Sequence, residues 1–180
     1  MENKHLTIPN ILTYIRIALI PVFVVLYFTV AFYWSLGVFI LAQITDAADG
    51  VIARKFNMQS NVGKVLDPLA DKLLKMAVLI CFSISGVVPI WFTALVIAID
   101  IAFVISGSML FRKEIVVKSN IIGKSGTLIL AVGVIMAFFA DYLGGAHLVV
   151  LYVGLGILIA SVLSYTAIYR RVFKKQKQSV

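Results

Sequence analysis

Charged residues are scarce in this chain, and their scarcity excludes an ordinary soluble fold. Only 13% of the 180 residues are charged and 62% are hydrophobic, whereas a typical soluble domain is roughly a quarter charged and about half apolar. A chain of this length cannot hide that much apolar surface from water, so we expect a lipid bilayer around it. The sequence predicts an all-α integral membrane protein, with residues 1–180 forming a single domain.

Cysteine is also nearly absent, and Cys81 is the only one. A disulfide framework or a thiolate metal cluster is therefore excluded. No cleavable signal peptide is expected, because four residues interrupt the first apolar run and no small-x-small cleavage site lies on its polar side. The four are Pro9, Asn10, Thr13 and Arg16. The net charge of +8 does not indicate a nucleic-acid partner, since the basic residues lie between and beside apolar runs.

Apolar runs of about 20 residues follow one another along the chain, and each is long enough to cross about 30 Å of hydrocarbon as a helix. The second and fourth connections and the C-terminal tail carry Lys and Arg, whereas the other connections carry none. This alternation predicts six transmembrane helices in the cell membrane with both termini in the cytoplasm. The segment His5–Tyr14 is expected to form a short interfacial helix before the first span. The six runs are Ile11–Tyr33, Trp34–Ala53, Val65–Ser85, Pro89–Phe111, Ile121–Ala140 and Leu148–Tyr169.

Four of the eight acidic residues fall within one 26-residue window, at the cytoplasmic ends of the second and third runs. Asp46 and Asp49 are three positions apart, and Asp67 and Asp71 are four apart, so each pair shares a helical face. A carboxylate inside a membrane is costly and by default indicates function. If the two spans are antiparallel neighbours, the four carboxylates meet at matched depths of about 6–12 Å.

Four adjacent carboxylates need a compensating charge, because their mutual repulsion disfavours the ionised forms or separates the helices. Oxygen ligands favour Mg²⁺, Mn²⁺ or Ca²⁺ over zinc. Magnesium keeps coordination positions for phosphate oxygens, which points to phosphoryl or pyrophosphate chemistry. Gly50, Ala53 and Gly63 lie on the same two faces, where they serve either close helix packing or the entry of a base and its ribose.

Eight positions in this window resemble the signature of the CDP-alcohol phosphatidyltransferase family: Asp46-x2-Asp49-Gly50-x2-Ala53-Arg54-x8-Gly63-x3-Asp67-x3-Asp71. The resemblance covers essentially the whole chain and implies six transmembrane helices around a polar cavity that faces the cytoplasm. It implies transfer of a phosphatidyl group from CDP-diacylglycerol to an alcohol with release of CMP. Membrane lipids would surround the protein, and the family commonly forms homodimers.

The resemblance also implies a role for each residue of the signature. Two Mg²⁺ ions, or Mn²⁺ in their place, would be held by the four aspartates, and Asp71 would also act as the catalytic base. Arg54 would bind the pyrophosphate. The cytidine and ribose would contact Asp49, Gly50, Ala53 and Gly63.

Two further segments resemble the phosphatidylglycerophosphate synthase branch of the family. The opening Ile8-Pro9-Asn10-Ile11-Leu12-Thr13-x2-Arg16 implies that Asn10 and Thr13 line the nucleotide end of the cavity and that Arg16 contacts phosphate. The stretch Gly123-Lys124-Ser125-Gly126-Thr127 makes Lys124 a second phosphate contact, and Lys75 is a candidate on the acceptor side. The alternatives are that Arg16 snorkels and that Lys124 is one more positive-inside charge.

The fourth span departs from that branch, because its usual Arg-Asp or Arg-Glu pair is replaced by Ile99-Asp100 and no arginine occurs before Arg112. The phosphate of glycerol 3-phosphate would need such cations. Phosphatidylglycerol, the acceptor of CMP-forming cardiolipin synthases, is therefore the alternative to glycerol 3-phosphate. Asp100 would orient Lys124 or a water, or satisfy a neighbouring helix. An ion transporter and an inactive paralogue are the remaining alternatives, disfavoured by the apolar outer halves of the spans and by the unbroken signature.

Overall fold

The computed structural model describes residues 8–29, 32–55, 63–112 and 121–178, and this part of the chain is helical. Side chains at 8–9, 47–55, 63–65, 68, 105–112, 121–122 and 165–178 lie outside the description. The described residues form seven helices: α1 Ile8–Phe28, α2 Phe32–Lys55, α3 Gly63–Ile84, α4 Ile90–Arg112, α5 Ile121–Ala137, the single turn α6 Ala140–Leu143 and α7 Ala146–Gln178. The all-α prediction is confirmed.

Two of these helices are long and apolar enough to cross a membrane within the described residues. They are α1, over Asn10–Phe28, and α7, over Ala146–Ser164. Shorter apolar stretches occur at Ile90–Val104 in α4 and Gly123–Ala137 in α5. The count of six spans stays a prediction.

The observed helix ends differ from the expected ones in several places. The first run was expected to reach Tyr33, but α1 ends at Phe28 and Tyr33 belongs to α2. From Ile8 onwards the expected interfacial helix is the first part of α1 rather than a separate element, because Pro9 lies in the first turn, where its missing N–H is not needed; residues 1–7 lie outside the description. The fifth connection contains α6, which ends at Gly144 in a left-handed conformation (φ 52°). α7 continues well beyond Tyr169 and takes in the basic tail as far as Gln178.

The chain divides into two compact units, Met1–Gly86 and Val87–Val180. In the first unit α1 packs against both α2 and α3, while direct backbone contact between α2 and α3 is sparse in the described part. The C-terminal half of α1 buries Phe23 and Tyr27, and the Tyr27 ring meets Phe82 of α3 edge-on with centroids 5.6 Å apart. Aromatic pairing of this kind anchors one half of α1 on its neighbours.

In the second unit α5 and α7 pack so closely that several contacts leave no room for a side chain. A Cβ on Gly133 would lie 2.8 Å from Leu151, and a Cβ on Gly154 would lie 2.9 Å from Leu130. The residue numbers of successive contacts increase along α5 and decrease along α7, so the two helices are antiparallel. On each helix the contacts are three, four and three residues apart, the spacing of left-handed heptad packing. The four contacts join Gly123 to Ser161, Gly126 to Leu158, Leu130 to Gly154, and Gly133 to Leu151.

The start of α4 and the start of α7 also lie together in the second unit. The rings of Trp91 and Tyr152 are stacked with centroids 5.6 Å apart, and a ring nitrogen of His147, Nε2, lies 3.1 Å from the carbonyl oxygen of Val87. Gly144 and Gly145 have positive φ values of 52° and 88°, which glycine adopts without steric cost and which allow the chain to reverse before α7. These contacts join α4 to α7 within the second unit.

Candidate active site on the first three helices

Three of the four predicted metal ligands come together in the first unit. Asp46 lies on α2, and Asp67 and Asp71 lie on α3. Asp46 and Asp67 both lie beside the N-terminal half of α1, and Asp67 and Asp71 are both close enough to Asp46 to act on its charge. We call Asp46, Asp67 and Asp71 the carboxylate cluster. The helical spacing places Asp49 one turn beyond Asp46 on α2, but the side chain of Asp49 lies outside the description.

α1 supplies a positive charge to this cluster. Arg16 Nη1 lies 2.6 Å from Asp46 Oδ1, within charge-assisted hydrogen-bonding distance. The arginine side chain is only 1% exposed, whereas the aspartate side chain is 40% exposed. The guanidinium is thus fixed in the interior of the unit, and the carboxylate that it contacts remains open on another side.

α1 also supplies a neutral donor. The hydroxyl of Thr13 donates a hydrogen bond to Asp67 Oδ1. Asn10, Thr13 and Arg16 are three positions apart in sequence and all are buried. The N-terminal half of α1 therefore presents a polar face to the acidic residues of α2 and α3, while its C-terminal half presents the aromatic face described above.

The second and third spans were expected to be antiparallel neighbours with their acidic faces across a gap, and Arg16 was expected at substrate phosphate; both stay predictions. The structure adds a feature that the sequence analysis did not predict. α1 packs against both helices and contacts a carboxylate on each, Asp46 through Arg16 and Asp67 through Thr13. The sequence does contain a signal for this, since Asn10, Thr13 and Arg16 form a polar stripe at helical spacing in an otherwise apolar run.

The cluster offers only oxygen donors, which suits a hard divalent cation such as Mg²⁺ or Mn²⁺. Among the side chains that the structure describes, no group of three or more His, Cys, Asp or Glu is arranged closely enough to hold a metal ion by itself. The oxygen ligands of the cluster are therefore of the right chemical type for Mg²⁺ or Mn²⁺. The fourth carboxylate of the signature, Asp49, would have to complete the set of metal ligands. The assignment of metal ligands stays a prediction.

The remaining predicted residues are spread over both units. Lys75 is partly buried on α3, Lys124 is exposed on α5, and Asp100 is buried on α4. In the Gly123–Thr127 stretch, the two glycines pack against α7 and the Thr127 hydroxyl donates to the carbonyls of Gly123 and Lys124. Four signature residues lie on α2 or α3 where side chains are outside the description: Gly50, Ala53, Arg54 and Gly63.

Comparison with known proteins identifies the family of this chain. The sequence model of the CDP-alcohol phosphatidyltransferase family matches residues 6–168. The chain belongs to this family. Its members are membrane-associated enzymes that transfer phosphatidyl groups and generally depend on divalent metals.

Relatives of known name fall into two groups. A Bacillus subtilis CDP-diacylglycerol–glycerol-3-phosphate 3-phosphatidyltransferase is 36% identical over 135 residues, which cover 67% of this chain and 70% of the relative. A Streptomyces coelicolor cardiolipin synthase (CMP-forming) is 32% identical over 132 residues, covering 69% and 61%. A Mycobacterium tuberculosis protein provisionally named as a cardiolipin synthase is 41% identical over 100 residues, covering 55% of this chain. The chain spans 48% of the length of that mycobacterial relative.

Proposed function

We propose that this protein transfers a phosphatidyl group from CDP-diacylglycerol to the hydroxyl of an alcohol and releases CMP. The observation that carries the proposal is that one face of α1 contacts a signature carboxylate on each of two helices, Asp46 through Arg16 and Asp67 through Thr13, in a chain of this family. The acceptor oxygen forms a bond to the β-phosphorus as the bond between that phosphorus and the bridging oxygen of the pyrophosphate breaks. CMP carries away the bridging oxygen, and the proton of the alcohol passes to the enzyme.

Asp71 takes that proton as general base. The pyrophosphate is bound by Arg54, whose guanidinium presents two parallel donors to phosphate oxygens. Divalent ions, two Mg²⁺ or Mn²⁺, held by the carboxylate cluster and Asp49 would neutralise charge on the phosphates and favour departure of CMP. Thr13 orients Asp67 by the hydrogen bond described above, because a carboxylate with one oxygen engaged has fewer orientations available.

Glycerol 3-phosphate is the acceptor that we propose first. Among the relatives described above, the Bacillus subtilis protein is matched over the largest share of its own length, and its name includes glycerol 3-phosphate. The opening of α1 also resembles the phosphatidylglycerophosphate synthase branch. Lys75 and Lys124 are the candidate cations for its phosphate. Phosphatidylglycerol is the second candidate, favoured by the two cardiolipin synthase relatives and by the absence of arginine from the sequence between Arg54 and Arg112.

We also propose that the protein crosses the cell membrane six times with both termini in the cytoplasm. The positions of Lys and Arg support this orientation, and two described helices are long and apolar enough to span a membrane. The carboxylate cluster then opens to the cytoplasm, where CMP is released. A homodimer is proposed by analogy with the family alone.

Release of CMP by purified protein in CDP-diacylglycerol micelles with Mg²⁺ and glycerol 3-phosphate tests the activity. Asp71→Asn should lower the rate by about 10²–10⁴-fold, since it removes the general base but keeps the shape of the side chain. Asp141→Asn is the matched control: Asp141 is an exposed acidic residue in the second unit, and its substitution should leave the rate unchanged. Full activity in Asp71→Asn would contradict the proposal.

The same assay identifies the acceptor when glycerol 3-phosphate, phosphatidylglycerol, inositol phosphate and serine are supplied in turn. Only the true acceptor should give CMP in proportion to a new phospholipid of matching mass. CMP release that is stimulated by phosphatidylglycerol and not by glycerol 3-phosphate would replace the first acceptor with the second. CMP release with no acceptor dependence would point to hydrolysis instead of transfer.

A further inference from the structure

The ion pair between Arg16 and Asp46 joins a fixed cation to an accessible carboxylate. The guanidinium is 1% exposed and cannot move far without disrupting the packing of α1, whereas the aspartate is 40% exposed. The aspartate can therefore take a second partner on its open side while the arginine stays in contact. An arginine side chain also remains protonated under all ordinary conditions, so its charge is a permanent part of the site.

The charges around Asp46 are of both signs. Arg16 attracts it, while Asp67 and Asp71 repel it. Three carboxylates that are partly removed from water gain from any nearby cation, and Arg16 is such a cation within the folded chain. When a divalent ion enters the same cluster, two cations share one set of negative charges, and each weakens the hold of the other.

We propose that Arg16 is the resident counter-ion of the carboxylate cluster. It stabilises the cluster while no divalent ion is bound, and it competes electrostatically with the divalent ion for the same negative charge. This inference rests on the proposed metal site. The coupling is reciprocal. If removal of Arg16 increases the affinity for the metal by some factor, bound metal must offset the loss of folding stability caused by that removal by the same factor.

Thr13 provides an internal contrast on the same helix. It contacts Asp67 of the same cluster but carries no charge, so it orients a carboxylate without competing for it. Removal of Thr13 should therefore weaken metal binding, whereas removal of Arg16 should strengthen it. Comparison of the Thr13 and Arg16 variants therefore distinguishes the effect of orienting a carboxylate from the effect of adding a positive charge.

Binding of Mn²⁺ to the detergent-purified full chain, followed by electron paramagnetic resonance, tests the inference directly. Arg16→Gln should lower the Mn²⁺ dissociation constant by about 5–10-fold. Arg16→Lys keeps the charge and should stay close to the unmodified protein. An unchanged or increased dissociation constant in Arg16→Gln would overturn the inference.

Thermal unfolding in EDTA and in saturating Mg²⁺ gives an independent readout. Arg16→Gln should unfold about 5 °C below the unmodified protein in EDTA, and Mg²⁺ should reduce this gap by half or more. Phe23→Leu is the control, because Phe23 is fully buried on α1 within its aromatic half; its gap should be the same in both conditions. A gap in Arg16→Gln that Mg²⁺ does not reduce would indicate a merely structural arginine and would overturn the inference.

The remaining outcomes are also decisive. Should Arg16→Gln fold only when Mg²⁺ is present, the inference stands; failure to fold in both conditions overturns it. The unmodified protein separates this inference from the proposed function. If it binds no Mn²⁺ and releases no CMP with Mg²⁺, the proposed function has failed; if it does both and Arg16→Gln behaves like Phe23→Leu, only the role of Arg16 has failed.

Discussion

Replacement of Gly154 by alanine should loosen the α5–α7 packing on which the second unit depends. An added Cβ would lie 2.9 Å from Leu130 Cγ and 3.0 Å from the Leu130 backbone nitrogen. The leucine side chain can rotate, but the backbone atom yields only if the helices move apart. Overpacking of this kind costs about 1–3 kcal/mol, while alanine in place of glycine in a helix returns about 0.8–1 kcal/mol.

Gly156 is the matched control for this substitution. It lies on the same helix, is exposed, and has no atom within 4 Å of an added Cβ. Gly156→Ala gains the same helix propensity without the clash, so the difference between the two variants isolates the packing cost. That cost of about 1–3 kcal/mol corresponds to a difference of about 2–12 °C in unfolding temperature, with Gly154→Ala the less stable.

Intrinsic tryptophan fluorescence during heating can report on the second unit alone. The chain has two tryptophans, Trp34 on α2 and Trp91 on α4, where the Trp91 ring stacks on Tyr152 of α7. In a Trp34→Phe background the signal comes from Trp91, next to the helix that carries both glycines. Equal unfolding temperatures for the two alanine variants would refute the reasoning, because they would show that α5 and α7 do not approach as closely as described.

Two further predictions concern the carboxylate cluster. Thr13→Val, which removes the donor to Asp67 while keeping the shape of the side chain, should weaken Mn²⁺ binding by about 10–100-fold, and Thr13→Ser should restore it; equal affinity in all three proteins would show that the hydrogen bond does not orient a ligand. Chelation by EDTA should abolish CMP release, and added Mg²⁺ or Mn²⁺ should recover it while Zn²⁺ should not; activity that survives exhaustive chelation would contradict a metal-dependent transfer.

Helix positions followed from the sequence because apolar runs and breakers mark them directly. The expected run Trp34–Ala53 corresponds to α2 at Phe32–Lys55, and Val65–Ser85 corresponds to α3 at Gly63–Ile84. The short α6 was missed, since a single turn has no periodicity to detect. The tail was not expected to extend α7, because a run of Lys and Arg ends an apolar segment without ending a helix.

The sequence predicted which residues share a helical face more readily than it predicted which helices pack against each other. Spacing placed Asp46 on one helical face and Asp67 with Asp71 on another, but periodicity does not say which helix lies against a face. The acidic residues predicted that α2 and α3 are neighbours, whereas the packing of α1 against both helices could be found only from the structure. The same limit applies to Gly123 and Gly126, which flank the candidate phosphate contact Lys124 in the sequence and which pack closely against α7 in the structure.

The ion pair between α1 and α2 also bears on how the protein enters the bilayer. α1 leaves the ribosome before α2 with Arg16 in its apolar segment, and an arginine at the centre of a lone spanning helix adds about 2.5–3.5 kcal/mol to the free energy of insertion. The compensating Asp46 follows on the next helix, which begins at Phe32, four positions after α1 ends at Phe28. Integration of the two segments together, as a hairpin with its charges already matched, avoids this barrier, so biogenesis should favour release of α1 from the translocon only once α2 has arrived.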